Sequence, residues 1–126
     1  MSDDLIKSSA REIRAQLKSK TVSSAELLDV LEARIAKIDP IVNALPTLCF
    51  DRARQAIAAR NHQDTALLGM PIAIKDLLPV AGVRTTWGSM LHEHHIPEIS
   101  DLLVERLESS GAVVYAKSNT PEFGVG

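Results

Sequence analysis

With 126 residues, 45% of them apolar and 24% charged, the chain is long enough for one domain with a true core. Its aromatics are Phe50, Trp87, Tyr115 and Phe123 alone, so that core must be built from Leu, Ile, Val and Ala. The net charge of −2, with both signs interspersed, excludes the basic, aromatic-interleaved footprint of a nucleic-acid-binding surface.

The start Met1-Ser2-Asp3-Asp4 is acidic, unlike a signal peptide. The uncharged stretches, eleven residues from Pro40 to Phe50 and ten from Thr65 to Ile74, fall short of the about 18 a membrane span needs, and a cytoplasmic protein is the expectation. Ser9 and Glu12 fit a capping box opening a first helix, with Ile13 and Leu17 on one face and Lys18 and Lys20 near its C-terminal end. Ser23 and Glu26 open a second, whose stripe of Leu27, Leu28, Leu31, Ile35 and Ile38 is expected to end at Pro40. Ala44 to Phe50 reads as a short strand interrupted by Pro46, at a sheet edge or a bulge, and Cys49 there as a small buried hydrophobe with no disulfide partner. Asp51 is expected to cap a third helix running through about Asn61.

Beyond the polar break His62-Gln63-Asp64 the character changes. Gly69-Met70-Pro71 bounds a buried strand, Ile72-Ala73-Ile74, that leads into Lys75. Residues 81 to 97 read as a long irregular loop, of the kind that is usually functional or disordered. Ser100 is expected to cap a fourth helix buried through Leu102, Leu103 and Leu107 and ended by Gly111, before a buried strand Ala112–Ala116. A strand, a loop with a helix, and a further strand point to a crossover and a parallel pair. The fold class expected is α/β: N-terminal helices leading into part of a mixed, largely parallel sheet. Two or three strands leave sheet edges in need of cover, so the chain reads as part of a larger domain.

Lys75 is the residue with the most chemistry. A lysine at the end of an apolar strand can snorkel to water, or it can serve as a base if burial lowers its pKa. At about 10.4, an ordinary lysine is neutral in roughly one molecule in 2,500 at neutral pH, so a lysine base belongs in a dry site. Asp76 follows it, and on a strand adjacent side chains point to opposite faces. Asp76 is therefore expected to face away and bond backbone amides in the turn. His92-Glu93-His94-His95 with Glu98 has the residue types of a metal site but not the H-E-x-x-H spacing, and Pro97 interrupts any helix there. A solvated loop, with no metal, is the expectation.

The run Gly69-Met70-Pro71-Ile72-Ala73-Ile74-Lys75-Asp76 resembles the G-V/M-P-x-x-x-K-D segment of the amidase-signature family. In order after it, Thr85-Thr86-Trp87-Gly88-Ser89 is similar to the family's T-T-x-G-S loop. Leu103-Val104-Glu105-Arg106-Leu107 with Gly111-Ala112-Val113 resembles its L-V-x-R-L…G-A-V block, and Lys117-Ser118-Asn119-Thr120-Pro121-Glu122-Phe123 its K-T/S-N-x-P-E-F stretch. The N-terminal Val22-Ser23-Ser24-Ala25-Glu26-Leu27 and Val42-Asn43-Ala44 fit as well. The resemblance implies that residues 1–126 are the N-terminal part of one such domain, with 1–61 mainly helical and 69–126 the start of the catalytic α/β core.

It also implies a Ser–cis-Ser–Lys mechanism on a small-molecule amide, needing no cofactor, with Lys75 as the catalytic lysine and Phe123 and Gly124 contacting substrate. Neither serine of that triad is present, because Ser89 and Ser118 match loop positions rather than the nucleophile, so the chain alone is expected to be inactive. The parent is expected to be a free amidase with no membrane or direct nucleic-acid partner and a possible homodimer. The alternatives are the A subunit of a glutamine-dependent Glu-tRNA amidotransferase, or a non-catalytic domain that keeps the scaffold.

Overall fold

The computed structural model describes residues 2–126, so Met1 of the acidic start lies outside it. A short helix not anticipated from the sequence, α1 (Ser2–Lys7), comes first. Six residues are too few for a stable helix on propensity alone, and it is held by tertiary packing. Its Leu5 is buried with Leu17, Val22, Leu27 and Leu68. The expected first helix follows as α2 (Ala10–Lys18), and its capping box is complete: the Ser9 hydroxyl accepts from the Glu12 N–H at 3.1 Å, and the Glu12 carboxylate accepts from the Ser9 N–H at 2.9 Å.

The long helix α3 (Ser24–Val42) starts at Ser23 as expected but does not stop at Pro40. Proline forfeits one hydrogen bond and crowds the carbonyl four residues earlier. Within the last turn and on the exposed side, that cost is small enough for the helix to continue. Its end is made instead by Asn43, which takes the left-handed conformation (φ 54°) and donates its N–H to the Asp39 carbonyl at 2.7 Å. The Asp39 carboxylate accepts the next free amide, from Ala44, at 2.7 Å.

The expected short strand shrinks to β1 (Thr47–Leu48), after Pro46. Helix α4 (Phe50–Ala59) begins one residue before Asp51, and its N-cap residue Cys49 makes no side-chain cap bond. Then come β2 (Pro71–Lys75), α5 (Leu102–Ser109) and β3 (Val113–Ser118). The sheet order is β1-β3-β2, with β1 antiparallel and β2 parallel to the central β3. The protein is thus α/β with a small mixed sheet.

Both faces of β3 are covered, which is why its sequence is a continuous apolar run rather than an alternating one. Val113 packs with Leu28, Phe50 and Ala53 of α3 and α4. Val114, on the opposite face, packs with Ile74, Val80, Val83 and Val104, joined by Leu107. Helix α5, the expected fourth helix, therefore buries Val104 and partly buries Leu107, whereas Leu102 and Leu103, expected in the core, are 62% and 50% exposed. Its cap is Asp101, whose carboxylate accepts from the Leu103 N–H at 2.8 Å. Ser100 instead accepts from the Ala81 N–H at 2.8 Å, closing the base of the crossover loop. No helix among the described residues is long and apolar enough to cross a membrane.

Candidate active site at the ends of the parallel strands

Lys75 is the last residue of β2, and strand alternation decides what surrounds it. Ile74 and Asp76 are buried on one face, while Lys75 is exposed on the other, in register with Ser118 of β3. The Asp76 N–H donates to the Ser118 carbonyl at 2.9 Å and prolongs the pairing by one residue. Among the described residues no carboxylate makes an ion pair with Lys75.

The buried lysine is Lys117, which reading the sequence did not single out. Its side chain is 0% exposed, and its ammonium lies 2.9 Å from Asp76 Oδ1, 2.8 Å from the Leu78 carbonyl and 2.9 Å from Thr85 Oγ1. Three acceptors match the three N–H donors of the charged form. Burial pushes the Lys117 amine below its ordinary range, and the hydrogen bond and charge of Asp76 pull it back up. Asp76 faces away from Lys75, as strand geometry requires. It also accepts from the N–H of Thr86 at 3.2 Å and from the Thr86 hydroxyl at 2.5 Å. The backbone amide it bonds is thus ten residues along the chain rather than in the adjacent turn.

The irregular stretch 81–97 is an ordered loop folded back on itself. The N–H groups of Gly82 and Thr85 donate to the carbonyls of Pro97 and His95, each at 2.9 Å, and the Arg84 side chain donates to the Glu93 carbonyl. At its tip, Ser89 caps a short turn of 3-10 helix, Met90–His92, by accepting from the Leu91 N–H at 3.3 Å. Trp87 (φ 54°) and Phe123 (φ 51°) both hold the left-handed conformation, uncommon for bulky side chains, and the Phe123 N–H donates to the Trp87 carbonyl at 2.6 Å. Between these residues Gly88 (φ 70°) lies so close to the 120–121 backbone that a Cβ there would sit 2.8 Å from the Thr120 carbonyl oxygen and 2.9 Å from that of Pro121.

Phe123 is half-exposed, with its ring centroid 6.1 Å from that of His92. Gly124 (φ 76°) presses on Leu77, where a Cβ would come within 2.7 Å of a Leu77 methyl. The turn carrying Phe123 and Gly124 therefore packs beside the second residue after Lys75. His92 and His95 pack on the Trp87 ring, at 5.0 and 5.1 Å between centroids, rather than converging on a shared point. Among the described residues, no three His, Cys, Asp or Glu side chains are grouped as a metal ion would need.

The free thiol of Cys49 is half-buried, 3.6 Å from the Val114 carbonyl, and burial raises its pKa.

Comparison with known proteins gives a consistent result. The chain is 40% identical, over an alignment 129 positions long, to the glutamyl-tRNA(Gln) amidotransferase A subunit of Anaeromyxobacter dehalogenans (strain 2CP-C), covering 98% of this chain and 26% of that protein. It is 42% identical over 118 residues to the corresponding A subunit of Roseiflexus sp. (strain RS-1), covering 90% of this chain and 24% of that one. Its fold superposes on the crystal structure of native peptide amidase from Stenotrophomonas maltophilia with a TM-score of 0.81 and 27% identity, over 93% of this chain and 26% of the peptide amidase. The chain thus spans about a quarter of the length of these relatives. Residues 26–126, which carry β2, the loop, β3 and the Phe123 turn, match the family model described as Amidase, and the chain belongs to that family, the amidase-signature enzymes.

Proposed function

We propose that this chain forms the N-terminal part of an amidase-type hydrolase that cleaves non-peptide carboxamide C–N bonds by a Ser–cis-Ser–Lys mechanism. In this reading Lys75 is the general base. Its neutral amine takes a proton from a bridging serine, which deprotonates the nucleophilic serine. That oxygen attacks the carbonyl, ammonia or an amine leaves, and water hydrolyses the acyl-enzyme. Both serines and the oxyanion hole belong to polypeptide beyond residue 126, which also encloses the Lys75 amine that these residues leave open. Phe123 and Gly124 line the substrate cleft. The location is cytoplasmic, and the partners are a small amide and, as a homodimer, a second copy.

The observation that carries this reading is the family match over 26–126. The position of Lys75 supports it, at the carboxyl end of a parallel strand, where open α/β sheets bind their ligands. The test is ammonia release from simple carboxamides by the protein with its remaining amidase domain present. Lys75→Ala is expected to lower turnover by about 10²–10⁴-fold, the usual worth of a positioned base. The 126-residue chain alone should release none, and wild-type turnover in Lys75→Ala would overturn the assignment.

The 40% identity to an amidotransferase A subunit favours a second reading, in which the parent releases ammonia from glutamine inside an amidotransferase of several subunits. With a net charge of −2, these residues leave contact with tRNA to a partner. Co-purification with two further subunits would select this reading over a free amidase.

A further inference from the structure

Lys117 is the one fully buried cation among the described residues, and the chemistry proposed above does not use it. Its acceptors come from two places. Asp76 and the Leu78 carbonyl belong to the chain leaving Lys75, while Thr85, with Thr86 bonded to Asp76, belongs to the loop that carries Trp87. One ammonium on the central strand therefore fastens the chain leaving Lys75 to the loop that carries Trp87. The other titratable group facing it is the Cys49 thiol, from the N-cap of α4. Arg52, beside that thiol, is engaged by Glu108 at 2.9 Å.

A buried ion pair is a poor device for stability alone, since apolar side chains of the same volume often serve as well. An apolar side chain in place of Lys117 would leave the Leu78 carbonyl and the Thr85 hydroxyl oxygen without their donor. It would also leave the Asp76 carboxylate, on the residue next to Lys75, held by Thr86 alone, and a carboxylate that came round to pair with Lys75 would hold the lysine in its charged form and oppose base chemistry.

We propose that Lys117 is a positioning residue for Lys75. By gripping Asp76, the Leu78 carbonyl and Thr85, it fixes the backbone at the end of β2 and keeps the Asp76 carboxylate committed to the opposite face of the strand. This role rests on the reading of Lys75 as the base and deepens it.

The test is steady-state kinetics of Lys117→Met in the protein with its remaining amidase domain, at a temperature where circular dichroism shows the variant fully folded. Methionine keeps the length and packing of the stem and removes the charge and donors. The expected result is a kcat lower by about 100-fold, the scale of a small misplacement of a catalytic group, with KM within about threefold. A fully folded Lys117→Met with kcat within about threefold of wild type overturns the role, as does a loss divided equally between kcat and KM.

If Lys117→Met does not fold, Thr85→Val removes one acceptor while keeping its shape. It should lower kcat by about fivefold at constant KM, on the scale of one hydrogen bond, and an unchanged kcat overturns the role. Lys75→Ala in the same assay separates the two proposals. Retained turnover there removes the base and this role with it. A dead Lys75→Ala beside a Lys117→Met of wild-type kcat removes only the positioning role.

Discussion

At Cys49 a single group carries a pH dependence whose sign can be worked out. Burial is the largest influence on the thiol and raises its pKa above 9.0, while Arg52 and Lys117 pull it down to a lesser extent. The folded-state pKa therefore lies above the unfolded value, so the thiol's contribution is intact below pH 9.0 and is lost as the pH rises through the folded pKa. Urea unfolding from neutral pH upward should show wild type losing stability more steeply above pH 9.0 than Cys49→Ala, with parallel behaviour at lower pH. Equal slopes throughout would refute the assignment. The Lys117–Asp76 pair gives a larger prediction. Asp76→Ala leaves a buried ammonium without its counter-charge and should cost about 3–5 kcal/mol. Adding Lys117→Met should recover part of that cost, so a double-mutant cycle by chemical denaturation must show strong coupling, and strict additivity would mean that the pair does not act as a unit.

Among the elements, the docking of the 85–95 loop on the 119–124 turn hangs on Gly88. Gly88→Ala adds the strain of a left-handed alanine, about 1–2 kcal/mol, and sets a methyl against two backbone carbonyls. The expected result is local undocking with the sheet intact. Trp87 is the only tryptophan, so its emission should move to the red while far-ultraviolet circular dichroism stays unchanged, and an unmoved spectrum would contradict the close approach.

Elements whose signals are local were readable in the sequence: the capping box at Ser9, the start of α3 at Ser23, the strand into Lys75 and the chain reversal at Gly111. Pro40 misled because the restraint a proline places on the residue before it, here Asp39, is a bias rather than a bar, and in an exposed last turn the helix runs on to Val42. The stripe of α5 misled because the helix turns Val104 and Leu107, rather than its first-turn leucines, toward Val114 and Ile74 of the sheet. Lys117 stood out only as one letter of a motif, and the reason is a bulge. β3 carries one residue more than β2, Tyr115, which has no partner between the Ile72–Val114 and Ala73–Ala116 pairs. Simple alternation sets Lys117 opposite Val114, but the extra residue turns both toward the face shared with Ile74, where the lysine meets Asp76.

For the molecule as a whole, the surface poses the largest demand. β2 lies at the edge of the sheet, and the crossover from it to β3 displays Met90, Leu91, Ile99, Leu102 and Leu103, each at least 50% exposed. Scattered apolar residues need no explanation, but a set of this size on the segment joining the site's two strands is a surface that favours contact. Under the reading proposed above, the rest of the amidase domain covers it. Leu103→Lys then has opposite consequences in two settings. In the 126-residue chain, where Leu103 is half-exposed, the change should alter stability by no more than about 0.5 kcal/mol and reduce self-association, read by sedimentation at rising concentration. In the protein with its remaining domain present, the same change buries a lysine where a leucine packed, and should cost at least about 2 kcal/mol of stability. A substitution equally harmless in both settings would mean that this face stays open in the parent, and the crossover would have to meet some other partner.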